Sequence, residues 1–231
     1  MSEIRHTGTP IATTHGKACG PIAVLKHLSS VSTLVTQGGK RDGANMAVMD
    51  VHHPNILDFI ECKTIEGQIH NFNISVGASD EFMEAVKNGT DYALYVKSNP
   101  ADEKSERVEA GRLDARKVFE KIVHGAWLNG EPGMIFLDEV NRNSPVKHVG
   151  MITATNPCGE QPLLPNESCN LGSIDVAKFI KDSNGVSSGV FSKYLANSLH
   201  RLIPSLLIVK FFKSFAVEKI VCFGHFLKSK A

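Results

Sequence analysis

The chain has 231 residues, with 25 Lys and Arg against 24 Asp and Glu, so its formal charge is +1. That balance excludes a global electrostatic signature for nucleic acid or for an acidic partner. A composition that is 42% hydrophobic and 21% charged belongs to a globular chain rather than a disordered one. Five cysteines spread along the chain lack the density of a secreted disulfide scaffold, so a reducing, cytoplasmic setting is expected. The opening MSEIRHTGTP has no apolar signal-peptide core, and no uncharged apolar run of about 18 residues occurs, so no membrane span is expected.

Up to Ile180, helical and strand patterns alternate with short Gly, Pro and Asn punctuation, which predicts an α/β architecture. Leu25, Leu28, Val31 and Val35 recur at three- and four-residue spacing and predict a helix over Ala23–Thr36. A Gly-rich turn follows, Gln37 to Gly43, and then a strand over Ala44–Val51. A short helix is expected over Asn55–Lys63, after Pro54, and a strand over Asn71–Val76, where Phe72, Ile74 and Val76 alternate with polar neighbours. Ser79 reads as the cap of a helix that carries Asp80 and Glu81 in its first turn and stops near Gly89. The mixed charges of Lys97–Gly111 read as a surface loop. Asp114 caps the longest helix, which runs to Asn129-Gly130, and strands are expected at Met134–Leu137 and Gly150–Ala154.

The composition changes at Ile180. Residues 1–180 hold 17 Lys/Arg against 22 Asp/Glu, whereas residues 181–231 hold 8 against 2. The second segment also carries Phe191, Tyr194, Phe211, Phe212, Phe215, Phe223 and Phe226. Two parts are therefore expected: 1–180, and a basic, aromatic-rich tail over 181–231. Leu202–Phe226 is apolar but broken by Pro204, Lys210, Lys213, Glu218 and Lys219, which leaves open a packed helix, an unfolded stretch or a surface-seeking helix.

The residues richest in chemistry are Asn156, Pro157, Cys158, Gly159 and Glu160, followed by Cys169. Asn156, Cys158 and Glu160 are spaced by two, so an extended backbone would turn an amide, a thiol and a carboxylate to one face. Spacing alone leaves open that Cys158 is a small buried side chain and Glu160 a solvated charge. The gap between Cys158 and Cys169 is not zinc-knuckle spacing, and His52, His53, His70, His124 and His148 show no paired ligand spacing, so no metal site is expected. Sequons at Asn73, Asn88 and Asn166 matter only in a secreted chain.

The run NPCGEQPLLPNESCNLGSI resembles the active-site segment of the ribonucleotide reductase catalytic subunit, most closely its coenzyme B12-dependent, class II branch. TQGGKRDGANMAVMDVHHPNILDFIECK, NFNISVGASDEFMEAV and NGEPGMIFLDEVN resemble that family in the same order, so the likeness covers roughly Arg5 to Ile180. It implies a partial ten-stranded α/β barrel, with the tail unrelated, and thiyl-radical reduction of ribonucleotides to 2′-deoxyribonucleotides. Cys158 matches the thiyl-radical cysteine that takes the 3′-hydrogen, Glu160 the base for the 3′-hydroxyl, and Asn156 the amide that orients the substrate hydroxyls. Pro157 and Gly159 complete the substrate-binding stretch. Cys169 matches one member of the redox pair that reduces the substrate.

Gln37, Lys40 and Arg41 match the loop that couples a specificity effector to substrate choice, and Arg5 stands where an effector-phosphate Arg is expected. Asp42 departs from the Arg expected there, and a plain basic turn is the alternative reading of the residues themselves. The implied cofactor is adenosylcobalamin. The implied partners are a ribonucleoside di- or triphosphate, a dNTP or ATP effector, a thioredoxin-like reductant, and a second copy or a complementary fragment, with neither nucleic acid nor membrane. Family members run to several hundred residues, and the upstream redox cysteine and later barrel strands have no counterpart in these 231 residues. The chain alone is therefore expected to be inactive and poorly soluble. The alternatives are a noncatalytic nucleotide-binding remnant and a fragment of a class I large subunit.

Overall fold

The computed structural model describes residues 1–11, 13–34, 43–65, 67–99, 102 and 105–168. The first two strands are β1 (Asn45–Asp50) and β2 (Phe72–Ala78), which lie parallel with Asn45 beside Phe72 and Asp50 beside Gly77. A third, β5 (Gly133–Phe136), joins the other side of β2 in parallel, with Ser75 beside Gly133 and Ala78 beside Phe136. The order is β1-β2-β5. Because all three run the same way, the sheet has an amino edge at Asn45, Phe72 and Gly133 and a carboxyl edge at Asp50, Ala78 and Phe136.

β2 is the central strand, and Ser75 and Gly77 are buried along with Ile74 and Val76. The apolar–polar alternation expected for Asn71–Val76 is therefore replaced by a strand covered on both faces, as parallel strands usually are. α1 (Pro21–Leu34), α2 (Ile56–Glu61), α3 (Asp80–Asn88) and α4 (Ala115–Asn129) each contribute side chains to the same core. Leu25, Met49, Ile56, Phe59, Val76, Phe82 and Tyr92 are among the core side chains with at most 1% exposure. Each such burial contributes roughly 1.5–3 kcal/mol.

The helix limits follow local chemistry. Ser79 Oγ accepts the Phe82 N–H at the start of α3, and Gly89 ends that helix at φ +69°, a left-handed conformation that suits glycine. Asp114 likewise accepts the Lys117 N–H at the start of α4, and Gly130 ends it.

Two expectations are corrected. Lys97–Gly111 is not all loop: β3 (Asp91–Lys97) and β4 (Arg107–Asp114) form an antiparallel hairpin with an irregularity at Leu94/Tyr95. Six of the eight residues of β4 are exposed, so its charges face solvent while its backbone is paired. The strand expected at Gly150–Ala154 shrinks to β6 (Ala154–Thr155), paired antiparallel with β7 (Pro162–Leu163), and a short helix, α5 (Leu137–Arg142), follows β5 directly. The α/β class expected from the sequence holds, and the described residues contain no closed barrel. Closure requires further strands with matched tilt and stagger, and three parallel strands leave an open sheet.

Candidate active site

Residues 156–161 form the turn that joins β6 to β7. The Asn156 N–H donates to the Gln161 carbonyl at 3.2 Å, and the Asn156 Oδ1 accepts the Gln161 N–H at 2.9 Å. The Gly159 N–H donates to the Asn156 carbonyl at 3.0 Å, with Gly159 at φ +81°. An Asn side chain that closes a turn on its own backbone is common turn chemistry. The stretch is thus bent rather than extended, and strand alternation does not group its side chains. Asn156 is half-buried with its Oδ1 engaged, while Cys158 and Glu160 are exposed. Exposure removes the reading of Cys158 as a buried hydrophobe and leaves its Sγ open to a reactant.

The turn stands at the amino edge of the parallel sheet. Asn73 of β2 donates from Nδ2 to the Pro157 carbonyl at 2.5 Å. The approach to β6 is held by Asn141 of α5, whose Oδ1 accepts the Ile152 N–H at 2.8 Å while its Nδ2 donates to the Ile152 carbonyl at 2.9 Å. After β7, Glu167 Oε2 accepts the Leu164 N–H at 2.8 Å.

The rest of that edge is polar and ordered. Ser29 Oγ donates to Asn71 Oδ1 at 2.7 Å, and Asn71 Nδ2 returns a bond to the Ser29 carbonyl at 2.8 Å, both buried. Asn45 Nδ2 donates to Ser32 Oγ at 2.6 Å and to the Gly43 carbonyl at 3.2 Å, which fixes the exit of the Gly-rich segment. Lys63 Nζ donates to the Phe72 carbonyl at 2.5 Å and pairs with Glu131 Oε1 at 2.8 Å, the two side chains only 14% and 20% exposed. Glu131 Oε2 is buried without a partner among the described residues. Burial beside Glu131 pushes the neighbouring Cys62 thiol up to about 11.

The carboxyl edge is built differently. His52 Nδ1 donates to the Ala93 carbonyl at 2.7 Å, which leaves Nε2 to accept the Ser79 hydroxyl at 2.7 Å. Its ring packs 5.5 Å from Tyr92 and 5.4 Å from Tyr95, and Phe82 stacks edge-on to Tyr92 at 4.9 Å. The Tyr92 hydroxyl donates to the Val51 carbonyl at 3.1 Å, and burial raises its pKa. A cleft of about 290 Å³ opens here, lined by Arg5, Asp50, His53, Tyr95, Lys97 and Arg107. Lys97 pairs with Glu3 at 2.5 Å and Arg107 approaches Asp50 at 3.7 Å. Burial lowers the His53 pKa, although its bond to the Ile4 carbonyl opposes this.

Asn156, Pro157, Cys158, Gly159 and Glu160 are thus together in one turn, whereas Arg5 lies at the opposite edge. Asn73, beside the turn, pairs with Met46, and Asp50, in the Arg5 cleft, is four residues further along β1. That separation is about 13 Å of strand. Cys169, Gln37, Lys40 and Arg41 lie outside the described residues, as does the whole of 181–231. Cys19, Cys62 and Cys158 are free thiols, and among the described residues no cluster of His, Cys, Asp and Glu is placed to hold a metal ion. Among the described residues, no helix is long and apolar enough to cross a membrane. Sequence reasoning missed the Lys63–Glu131 pair, the carboxyl-edge cleft and Asn73. None of the three left a local signal, and Asn73 stands out only in the fold, as the single exposed residue of an otherwise buried strand.

The family model for the ribonucleotide reductase barrel domain matches residues 1–214. The chain belongs to the ribonucleotide reductase family, and the match runs past the composition change at Ile180. The vitamin B12-dependent ribonucleoside-diphosphate reductase of Thermoplasma acidophilum is 44% identical over 187 residues, covering 80% of this chain and 23% of that protein. The enzyme of the same name from Mycobacterium tuberculosis is 44% identical over 184 residues, 79% of this chain and 25% of that protein. A ribonucleoside-diphosphate reductase large chain of Schizosaccharomyces pombe is 30% identical over 227 residues, 88% of this chain and 27% of that protein. The chain thus spans about a quarter of the length of these curated relatives.

Proposed function

We propose that this chain supplies the hydrogen-abstracting cysteine of an adenosylcobalamin-dependent ribonucleoside-diphosphate reductase and works only with the remainder of the barrel. The observation that carries this reading is the Asn156–Gln161 turn: it bears the residues of the family's active-site segment, with the Cys158 Sγ exposed at its tip. The relatives at 44% identity are B12-dependent enzymes, which supports the B12 branch, while other enzymes of that branch stand at 30%, level with the large chain. On this reading, residues 1–180 are part of a ten-stranded barrel, and the substrate is a ribonucleoside diphosphate.

The described residues fit the cofactor at one point. The exposed Cys158 thiol is open to hydrogen-atom exchange with an external radical. When bound, adenosylcobalamin supplies that radical. The chain's own residues do the rest. The Cys158 sulfur takes the 3′-hydrogen, so an S–H bond forms as the C3′–H bond breaks. The Glu160 carboxylate receives the 3′-hydroxyl proton, and this assists departure of the 2′-hydroxyl, which takes a proton from the redox thiols and leaves as water. Asn156 orients the hydroxyls. Cys169 and a thiol from the complementary part supply two electrons and close a disulfide, which a thioredoxin-like dithiol then reopens. Arg5, Gln37, Lys40 and Arg41 serve the effector and specificity loop.

The test is 2′-deoxynucleotide formation, with adenosylcobalamin and a dithiol, by the chain reconstituted with the missing barrel strands. Replacing Cys158 by Ser is expected to abolish turnover, and Glu160→Gln to lower it about 10²- to 10⁴-fold. Undiminished turnover by the Cys158→Ser protein would sink the reading.

A further inference from the structure

The bonds within the Asn156–Gln161 turn set its shape. Both bonds to the Gln161 backbone and the Gly159 N–H bond to the Asn156 carbonyl lie inside the hairpin. They say nothing about where the turn stands on the sheet. The Asn141 clamp on Ile152 and the packing of β6 beside β1 place the arms of the hairpin, and a bond spanning 84 residues, from the Asn73 amide to the Pro157 carbonyl, ties the turn itself to β2.

Three features make this bond specific. Pro157 has a fixed φ and no N–H, so its carbonyl is the one backbone hydrogen-bonding group it offers. That carbonyl shares a planar peptide unit with the Cys158 nitrogen, so holding the oxygen orients the bond leading into Cys158. Asn73 is the sole exposed residue of β2, in a strand whose other six positions are buried. Its neighbourhood is itself anchored: Lys63 holds the Phe72 carbonyl, and Asn71 is locked to Ser29. An amide at a rigid strand start is therefore aimed at the peptide plane of the thiol-bearing residue.

We propose that Asn73 is a positioning residue for Cys158, fixing the height and direction of its thiol through the Pro157 carbonyl. The catalytic meaning of this rests on Cys158 being the reacting thiol, but the positioning itself is independent of turnover.

The experiment uses the full 231-residue chain, with Cys158 labelled by a trifluoromethyl thiol reagent and the label assigned against a Cys158→Ser control. Fluorine spectra and amide hydrogen exchange are compared for the parent protein, Asn73→Asp and Asn73→Gln. Asp keeps the size but removes the donor, whereas Gln keeps the donor on a longer stem. In Asn73→Asp the Cys158 label is expected to shift and broaden. The Gly159 and Gln161 amides should then exchange about fivefold to tenfold faster, while β1 and β2 amides stay unchanged. Asn73→Gln should recover part of the parent signature. If Asn73→Asp leaves both readouts unchanged, the proposal is overturned. It is equally overturned if β1 and β2 loosen as much as the turn, because Asn73 then serves only general stability. Should the Asp variant fail to fold, Asn73→Gln with a parent-like label and Asn73→Ser with an altered one would carry the proposal, and identical labels in both would end it. Loss of the proposed reductase chemistry with these positional effects intact would defeat the reading of Cys158 and not this one.

Discussion

The two edges of one parallel sheet are made of different materials. The amino edge, where the Cys158 turn sits, is held by amides and one largely buried ion pair: Asn71 with Ser29, Asn45 with Ser32, Asn73 with Pro157, Lys63 with Glu131. The carboxyl edge adds stacked rings, His52, Tyr92, Tyr95 and Phe82, to the hydrogen bonds of His52 and Tyr92, and opens into a cleft rimmed by paired charges. Hydrogen bonds to backbone groups constrain both distance and angle, because donor and acceptor must meet in both. Such an edge suits a turn whose task is to hold one atom still. A cleft that pairs Arg107 with Asp50 and Lys97 with Glu3 has charges that a ligand can recruit at its mouth.

The contrast breaks most visibly at the ion pair. Lys63→Met leaves the Glu131 carboxylate buried and unpaired and also frees the Phe72 carbonyl, so unfolding free energy by denaturant titration should fall by about 3 kcal/mol. Adding Glu131→Gln should restore much of that. If the single variant loses nothing, the amino edge is not held as described.

At the carboxyl edge the sharper test is pH. Burial depresses the His53 pKa below the ordinary 6.5, so as pH falls below that value the unfolded chain takes up a proton that the folded chain refuses. Stability should therefore decline toward acid by at most about 1.4 kcal/mol per pH unit until the folded pKa is reached. His53→Gln should flatten the slope relative to the parent, and equal slopes would contradict it.

The smallest effect belongs to Tyr92→Phe, which keeps the stacked ring and removes the hydroxyl bonded to Val51. A loss of about 1 kcal/mol is expected in the same titration.

Local signals were legible in the sequence and distant ones were not. Ser79 with Gly89, and Asp114 with Gly130, mark helix ends because a cap acts within three or four residues of itself. The β3–β4 hairpin was hidden because its charged residues read as loop, while the pairing that makes it a strand pair is made by backbone. At the site, wording singled out Cys158, Glu160 and Asn156 as candidates, but alternation predicted an extended stretch where Asn156 closes a turn on Gln161. Asn73 read only as a sequon, since its partner lies 84 residues further along. Arg5 was legible as a cation, and its place at the far edge emerged only from the fold.

The route from β2 to β5 carries a kinetic consequence. β1 and β2 are joined through one short helix, whereas Ser75 meets Gly133 only after α3, the β3–β4 hairpin and α4 have been laid down. Pairings that wait on long loops are the slow steps of assembly. As the chain leaves the ribosome, β1 and β2 have time to associate while β5 and the Pro157 carbonyl are still unmade. Among the described elements, the thiol-bearing turn therefore docks last, onto an edge that is already in place.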